Sequence, residues 1–464
     1  MTTAPSHDCR YLLGAVIFCC MTLGGGTMRG QPADSLLLIA IITAATCTMV
    51  RLWSRPGFRP GQLLFVLLLC AGIAQIIPVP ASLVQAFRPQ IFVPGSSGLG
   101  GMDQWSTISL SASRTISALA TALCAIYLFL AMHKIGRDAA VSLIPFYLAG
   151  LLVNCLVVFL NYSCGGGCNI VSLLGHDAAS GLFENQNHLS ALFCASIPLV
   201  AYVISSYRRR YCSILLMLFL LIALLAIGSE AGILLGLAVL VLALVPALWR
   251  TRTGTILAVG LTLTVAVYGY GAFVRIGAEE GGATLERRDF VFTSLRAISA
   301  NWRLGTGYGT FDLIYPHYEM LEDVYSAYVN HAHNDFLEIV LEGGVIGALL
   351  VLLYLAVLLC HLLKQGDKPL QQLSFLSICV LLAHSTVDYP LRTMAILVPF
   401  AFFNALFFSR DNALAPSWND HQERAGNADR TGPAAFSAAV NLSAGVEGTP
   451  HSGGLELTNR RRVP

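Results

Sequence analysis

Long apolar runs recur along this chain as far as residue 409, and many approach the roughly 20 residues that a helix needs to cross a bilayer. A soluble domain has one core to fill and no use for so many. Hydrophobic residues make up 55% of the chain and charged residues 12%, about half the roughly 25% of an ordinary soluble domain. The runs therefore predict an all-α, polytopic integral membrane protein. A formal net charge of +2, with no basic patch interleaved with aromatics, gives no reason to expect a nucleic-acid partner.

The pattern predicts about 12 transmembrane helices, near 11–28, 35–52, 62–79, 115–132, 141–160, 188–205, 211–228, 231–248, 255–274, 337–360, 370–387 and 392–409. Lys and Arg in the short connections set the orientation. Arg51, Arg55 and Arg59, then Lys134 and Arg137, then Arg208, Arg209 and Arg210, then Arg250 and Arg252, then Lys364 and Lys368 fall on alternate connections. All are expected on the cytoplasmic side, with both termini. The first run lacks a small-residue cleavage site and is read as a span rather than a signal peptide. The expected organisation is N-terminal membrane helices over 1–160, a second membrane region over 161–410, and a disordered cytoplasmic tail over 411–464. Arg460, Arg461 and Arg462 in that tail read as a solvated end.

The opposite, outer side would carry loops near 80–114, 161–187 and 275–336. The largest holds Arg275, Arg287, Arg288, Arg296 and Arg303 but no lysine. A guanidinium fork grips phosphate oxygens bidentately, so an all-arginine set suits a diphosphate ligand. Ordinary salt bridging is the competing reading, because Glu286 and Asp289 lie in the same loop. Within it, 285–303 reads as a short amphipathic helix on the membrane surface. Val291, Leu295, Ile298 and Trp302 form an apolar stripe beside one containing Arg288, Phe292, Arg296, Ser299 and Arg303. Gly305-Thr306-Gly307-Tyr308-Gly309 then reads as a tight turn, since no strand precedes it as a nucleotide loop would require.

Chemistry concentrates where that loop re-enters a helix, at His331-Ala332-His333-Asn334-Asp335-Phe336-Leu337-Glu338. Asn334 is an expected N-cap, and Asp335 complements the positive helix end. That end favours a nearby anion and a neutral His333 able to accept a proton. Two interfacial polar histidines are the blander alternative. His384 and Asp388 lie one helical turn apart; Asp388 either orients a catalytic imidazole or pairs with His384 structurally, and the latter is favoured. Glu230, in a very short outer connection, is expected to border an aqueous cleft. Among the 13 cysteines, Cys164 and Cys168 flank three glycines in an outer loop, where a disulfide is one reading. A zinc site with His176 is the weaker one, and no metal is predicted.

These segments carry a family resemblance. His333-Asn334, followed by Gly344 and Gly347, resembles the signature of bacterial O-antigen ligases and the related O-antigen and exopolysaccharide polymerases. Gly181-Leu182-Phe183-Glu184-Asn185-Gln186-Asn187-His188-Leu189 is similar to an outer-loop motif of that family. Arg288 with Phe292, the glycine turn through Phe311, the turn at Ser229, and His384-Ser385 with Asp388-Tyr389-Pro390 are similar to others. The likeness spans most of 180–400.

The resemblance implies a glycosyltransferase of the bacterial inner membrane with its active site facing the periplasm. Its donor would be an undecaprenyl-diphosphate-linked oligosaccharide and its acceptor a glycan or lipid A-core, with export, flippase and chain-length proteins as partners. His333 would be the general base, and Arg288 would neutralise the departing diphosphate. Arg287, Arg296, Arg303, His331, Asn334, Asn187, Glu230 and Asp388 would line the substrate site. No cofactor, nucleotide sugar or metal is implied. Glu230 stands where the family usually has arginine, and Ala348 where the ligase signature favours threonine. With the His384–Asp388 segment, these departures tilt the reading from a ligase towards a polymerase. A lipid-linked oligosaccharide transporter is the alternative from another class. It would place ionisable residues near the bilayer midplane, on paired broken helices.

Overall fold

The computed structural model describes residues 5–27, 30–87, 105–164, 181–206, 210–248, 282–320, 329–365 and 368–409. Its first helices are α1 (Pro5–Leu23), α2 (Pro32–Arg51) and α3 (Arg59–Ile76). Proline near the start of α2 and of α3 sits where a missing N–H costs no intrahelical bond. β1 (Val79–Pro80) pairs antiparallel with β2 (Trp105–Ser106), and α4 (Ala81–Phe87) follows β1. The bundle continues through α5 (Ala112–Ile135), α6 (Arg137–Val141), α7 (Ile144–Ser163), α8 (Gln186–Ser206), α9 (Arg210–Ile227) and α10 (Glu230–Leu248). Then come α11 (Gly282–Asn301), the short α12 (Phe311–Ile314), α13 (Asp335–Gln365), α14 (Pro369–His384) and α15 (Met394–Phe407).

Among the described residues, 6 stretches are long and apolar enough to cross a membrane: Pro32–Arg51, Arg59–Ile76, Ala112–Ile135, Arg137–Ser163, Gln186–Ser206 and Asp335–Lys364. Shorter apolar helices stand at Cys9–Leu23, Cys212–Ile227, Gly232–Ala243, Pro369–His384 and Met394–Phe407. The predicted span near 255–274 and the predicted tail lie outside the described residues.

Burial separates the centre of the bundle from its rim. The Gln186–Ser206 stretch is 78% buried, whereas Asp335–Lys364 is 11% buried and turns Ile346, Leu349 and Leu352 outward. Apolar faces of that extent match hydrocarbon, not water. In the centre, buried Tyr147 of α7 shares a 2.6 Å hydrogen bond with Ser196 of α8 and stacks on Phe402 of α15. Its one polar atom is thereby satisfied where solvent is absent. Cys164 is disulfide-bonded; Cys168 lies outside the described residues.

One backbone junction fixes the site. α13 is interrupted at Gly344, whose φ of 59° and ψ of −148° break the helical ladder. The carbonyls of Leu341 and Glu342, which α-helical bonding would otherwise occupy, accept from the glycine turn instead. Thr306 N–H donates to Leu341 O at 3.0 Å, and Gly307 N–H to Glu342 O at 3.0 Å. Buried Gln75 of α3 completes the junction. Its Nε2 donates to Glu342 O at 2.9 Å, while its Oε1 accepts the Tyr308 N–H at 3.1 Å. Gly305, Gly307 and Gly309 all have positive φ, as the tight turn expected there requires.

The packing face of α11 differs from the apolar stripe expected over 285–303. Phe290, Thr293, Ser294, Ala297 and Asn301 are buried, whereas Leu295 and Trp302 of that stripe are exposed. Small side chains at three- and four-residue steps let this helix approach its neighbours closely. Phe292, Leu295 and Trp302 are left at the surface.

Candidate functional site

Three chain segments converge at the start of α13: the turn before it, the start of α8, and the turn between α14 and α15. Asn334 caps α13, its Oδ1 accepting the Leu337 N–H at 3.0 Å, while its Nδ2 donates to Thr386 O at 2.7 Å. The cap therefore also ties α13 to the turn that carries Asp388. Just before it, His333 has φ of +47°, the one positive value among the described non-glycine residues. Such strain in a non-glycine residue persists only where the surroundings hold it, and it concentrates at functional sites.

His333 Nδ1 lies 3.2 Å from Asp388 Oδ1, a close approach without hydrogen-bond alignment. The ring stacks on Phe290 of α11, centroids 5.4 Å apart, and meets Tyr389 edge-on at 5.0 Å. Its side chain keeps 23% exposure, whereas Asp388 keeps 2%. Asp388 Oδ1 also accepts the Tyr389 N–H at 2.9 Å and lies 3.6 Å from Nε2 of fully buried His188. Burial pushes the Asp388 carboxyl up, but the His188 and His333 imidazoles together hold it well below the usual carboxylate range. Asp388 thus faces two imidazoles from distant parts of the chain, as well as following His384 in its own turn.

Behind this contact is a second polar cluster. Arg392, in the 3₁₀ turn Pro390–Arg392, reaches three carboxylates on one face of α13. It lies 3.4 Å from Asp335, 3.5 Å from Glu338 and 3.3 Å from Glu342. Glu338 Oε1 is 2.9 Å from His331 Nδ1, and its Oε2 accepts the Ala332 N–H at 3.1 Å. His331 is therefore a buried partner of Glu338, packed 4.3 Å from the Tyr389 ring. Burial, then the Asp388 charge, pushes the Tyr389 hydroxyl up to about 12, so it remains a hydrogen-bond donor across the ordinary pH range.

The remaining predicted residues fall around this centre. Arg288 is exposed, its guanidinium 5.5 Å from the centroid of the Phe292 ring, and Arg303 lies 5.2 Å from Trp302. Arg296 donates to Thr293 Oγ1 at 2.7 Å. All three sit on or just after α11, whose Phe290 touches His333. Asn187 Oδ1 accepts from Ser229 Oγ at 3.1 Å, joining the start of α8 to the α9–α10 turn. The backbone of Glu230 opens α10; the side chains of Glu230 and Arg287 lie outside the described residues. Arg392 was missed by sequence reasoning, although Asp335, Glu338 and Glu342 recurring on one face of a span already demand a cation. No local pattern pointed to His188 as a partner of Asp388.

A cavity of about 760 Å³ adjoins the second cluster. Arg114, His331, Asp335 and Arg392 line it, as do Leu64, Leu68, Val351, Leu397 and Phe400 from spans α3, α13 and α15. Arg114 is itself ion-paired with Asp312 of α12.

A bundle of membrane-length apolar helices around this polar centre is that of a multi-pass membrane protein. Residues 212–352 match the family model described as O-antigen ligase. His333, Glu338, Glu342 and Gly344 lie inside the match, whereas His188, Asp388 and Arg392 lie outside it. No curated protein matches the chain.

Proposed function

We propose that the protein transfers or polymerises a glycan carried on undecaprenyl diphosphate, at the periplasmic face of the bacterial inner membrane. His333 takes the proton from the acceptor hydroxyl as that oxygen bonds to the anomeric carbon of the donor. The bond from that carbon to the diphosphate breaks, and its electron pair leaves with the lipid diphosphate. Asp388, beside Nδ1, orients the ring and stabilises the imidazolium that forms, so Nε2 faces the substrate. Arg288, with Arg296 and Arg303, meets the departing negative charge. No cofactor or metal enters the reaction.

The observation that carries this reading is the His333–Asp388 contact within 3.2 Å, built on a strained backbone inside the stretch matched by the O-antigen ligase model. Polymerisation is preferred over transfer to lipid A-core on Glu230, Ala348 and the Asp388-Tyr389-Pro390 segment. The test is a deletion strain complemented with wild type, His333→Ala or Arg288→Ala. Both variants should reach the membrane and yield no long-chain glycan. Single repeats still attached to the lipid acceptor would mark a polymerase; loss of all glycan from that acceptor would mark a ligase. Full-length glycan from His333→Ala would overturn the proposal.

A further inference from the structure

The site contains an imidazole that the proposed reaction leaves unused. His188 is fully buried in the first turn of α8, neither of its ring nitrogens makes a hydrogen bond, and its Nε2 lies 3.6 Å from the same Asp388 oxygen that faces His333. A buried polar ring with an unmet nitrogen is costly and needs an explanation. Ring volume alone does not supply one, since an apolar side chain fills such a space without that cost. Tyr389 stands against both rings, 4.8 Å from His188 and 5.0 Å from His333, so neither imidazole can rotate freely around the carboxylate.

We propose that His188 is a positioning residue for His333, acting through Asp388: its Nε2–H fixes the carboxylate and takes up part of its negative charge. The inference rests on the functional reading above, in which His333 is the base. Asp388 Oδ1 accepts one backbone N–H and has an imidazole nitrogen within 3.6 Å on either side, so in this proposal His333 feels a carboxylate already partly neutralised. Without His188, Asp388 would attract the proton on His333 more strongly and make the ring harder to return to its neutral form. The other groups around His333 are Tyr389 from the same turn, Arg288 and Asp289 beside the stacked Phe290 on α11, and His331, which is engaged with Glu338. None of these touches Asp388 Oδ1 through a second imidazole.

Diethyl pyrocarbonate acylates neutral imidazole, so the pH dependence of His333 labelling reads its protonation without any sugar substrate. The full chain is labelled in detergent and the His333 peptide quantified by mass spectrometry. His188→Phe keeps the ring and removes the donor; it should move the His333 midpoint upward by about 0.5 unit or more. His188→Gln restores an N–H and should bring the midpoint back to within about 0.2 unit of wild type. Where Phe does not accumulate in the membrane, His188→Met, flexible and without a donor, carries the same expectation. An unmoved midpoint in the donor-free variant overturns the inference, as does a Gln variant that behaves like it. The two proposals separate cleanly. Glycan made by His333→Ala defeats the functional reading even if the midpoint moves. An unmoved midpoint with glycan lost in His333→Ala defeats only the role of His188.

Discussion

His333 and Asp388 meet at 3.2 Å although the whole of α13 and α14 separates them in the chain. The contact therefore exists only once that helical pair has closed, and it brings a histidine inside the stretch matched by the O-antigen ligase model to a carboxylate beyond it.

Asp388→Asn keeps the shape of the side chain and removes its charge. On the proposed mechanism it should lower polymer formation about 100-fold or more, close to the loss in His333→Ala, because both remove one working unit. Glycan profiles of complemented deletion strains, normalised to membrane-embedded protein, provide the check. A near-normal profile from Asp388→Asn would show that His333 works without its carboxylate.

Arg392 faces three carboxylates on α13. Arg392→Met should destabilise the protein by about 3–5 kcal/mol, since removing one partner leaves buried negative charge without a counterion. A pronounced fall in the thermal midpoint of detergent-solubilised protein is the expected result. Arg392→Lys should recover part of the loss, because a point charge cannot reach all three carboxylates as a planar fork does.

Gly305 and Gly344 meet backbone to backbone. A Cβ on Gly344 would lie 2.6 Å from Gly305 N, and one on Gly305 would collide with Glu342 O. Both also have positive φ. Gly344→Ala and Gly305→Ala should each sharply reduce accumulation in the membrane, whereas alanine at Gly30, whose Cβ would meet no atom within 4 Å, should cost only its backbone strain of about 1–2 kcal/mol. Immunoblots of membrane fractions would rank the three.

Asp388 also makes a prediction about acid. Its folded-state pKa is depressed, so as pH falls the unfolded chain binds that proton first. The stabilisation it provides is complete above the unfolded value of about 3.9 and is lost as pH falls through the lower folded value. The gap in thermal midpoint between wild type and Asp388→Asn should persist down to about pH 5 and close below about pH 4. A gap that already closes above about pH 5 would contradict the two-imidazole arrangement.

The legible parts of the fold were the local ones. Hydrophobic length marks helices such as Gln186–Ser206 without tertiary information, and the Asn334 cap is written in neighbouring residues. The face by which α11 packs on the protein was not legible, because Thr293, Ser294, Ala297 and Asn301 are small or polar, and close helix approach, not hydrophobicity, selects them. His331 and His333 look alike in the chain, yet one is bound to Glu338 and the other faces Asp388. No spacing rule distinguishes them, because their partners arrive from different turns. Asp388 was read with its near neighbour His384; its contacts with His188 and His333 are products of closure and have no local signature.

The seam between the glycine turn and the broken helix limits how the site can be adjusted. Because main chain meets main chain there, substitution cannot tune the spacing between the arginine-bearing and histidine-bearing elements by small steps. Any adjustment of the width of the site is left to the side chains on its outward rim.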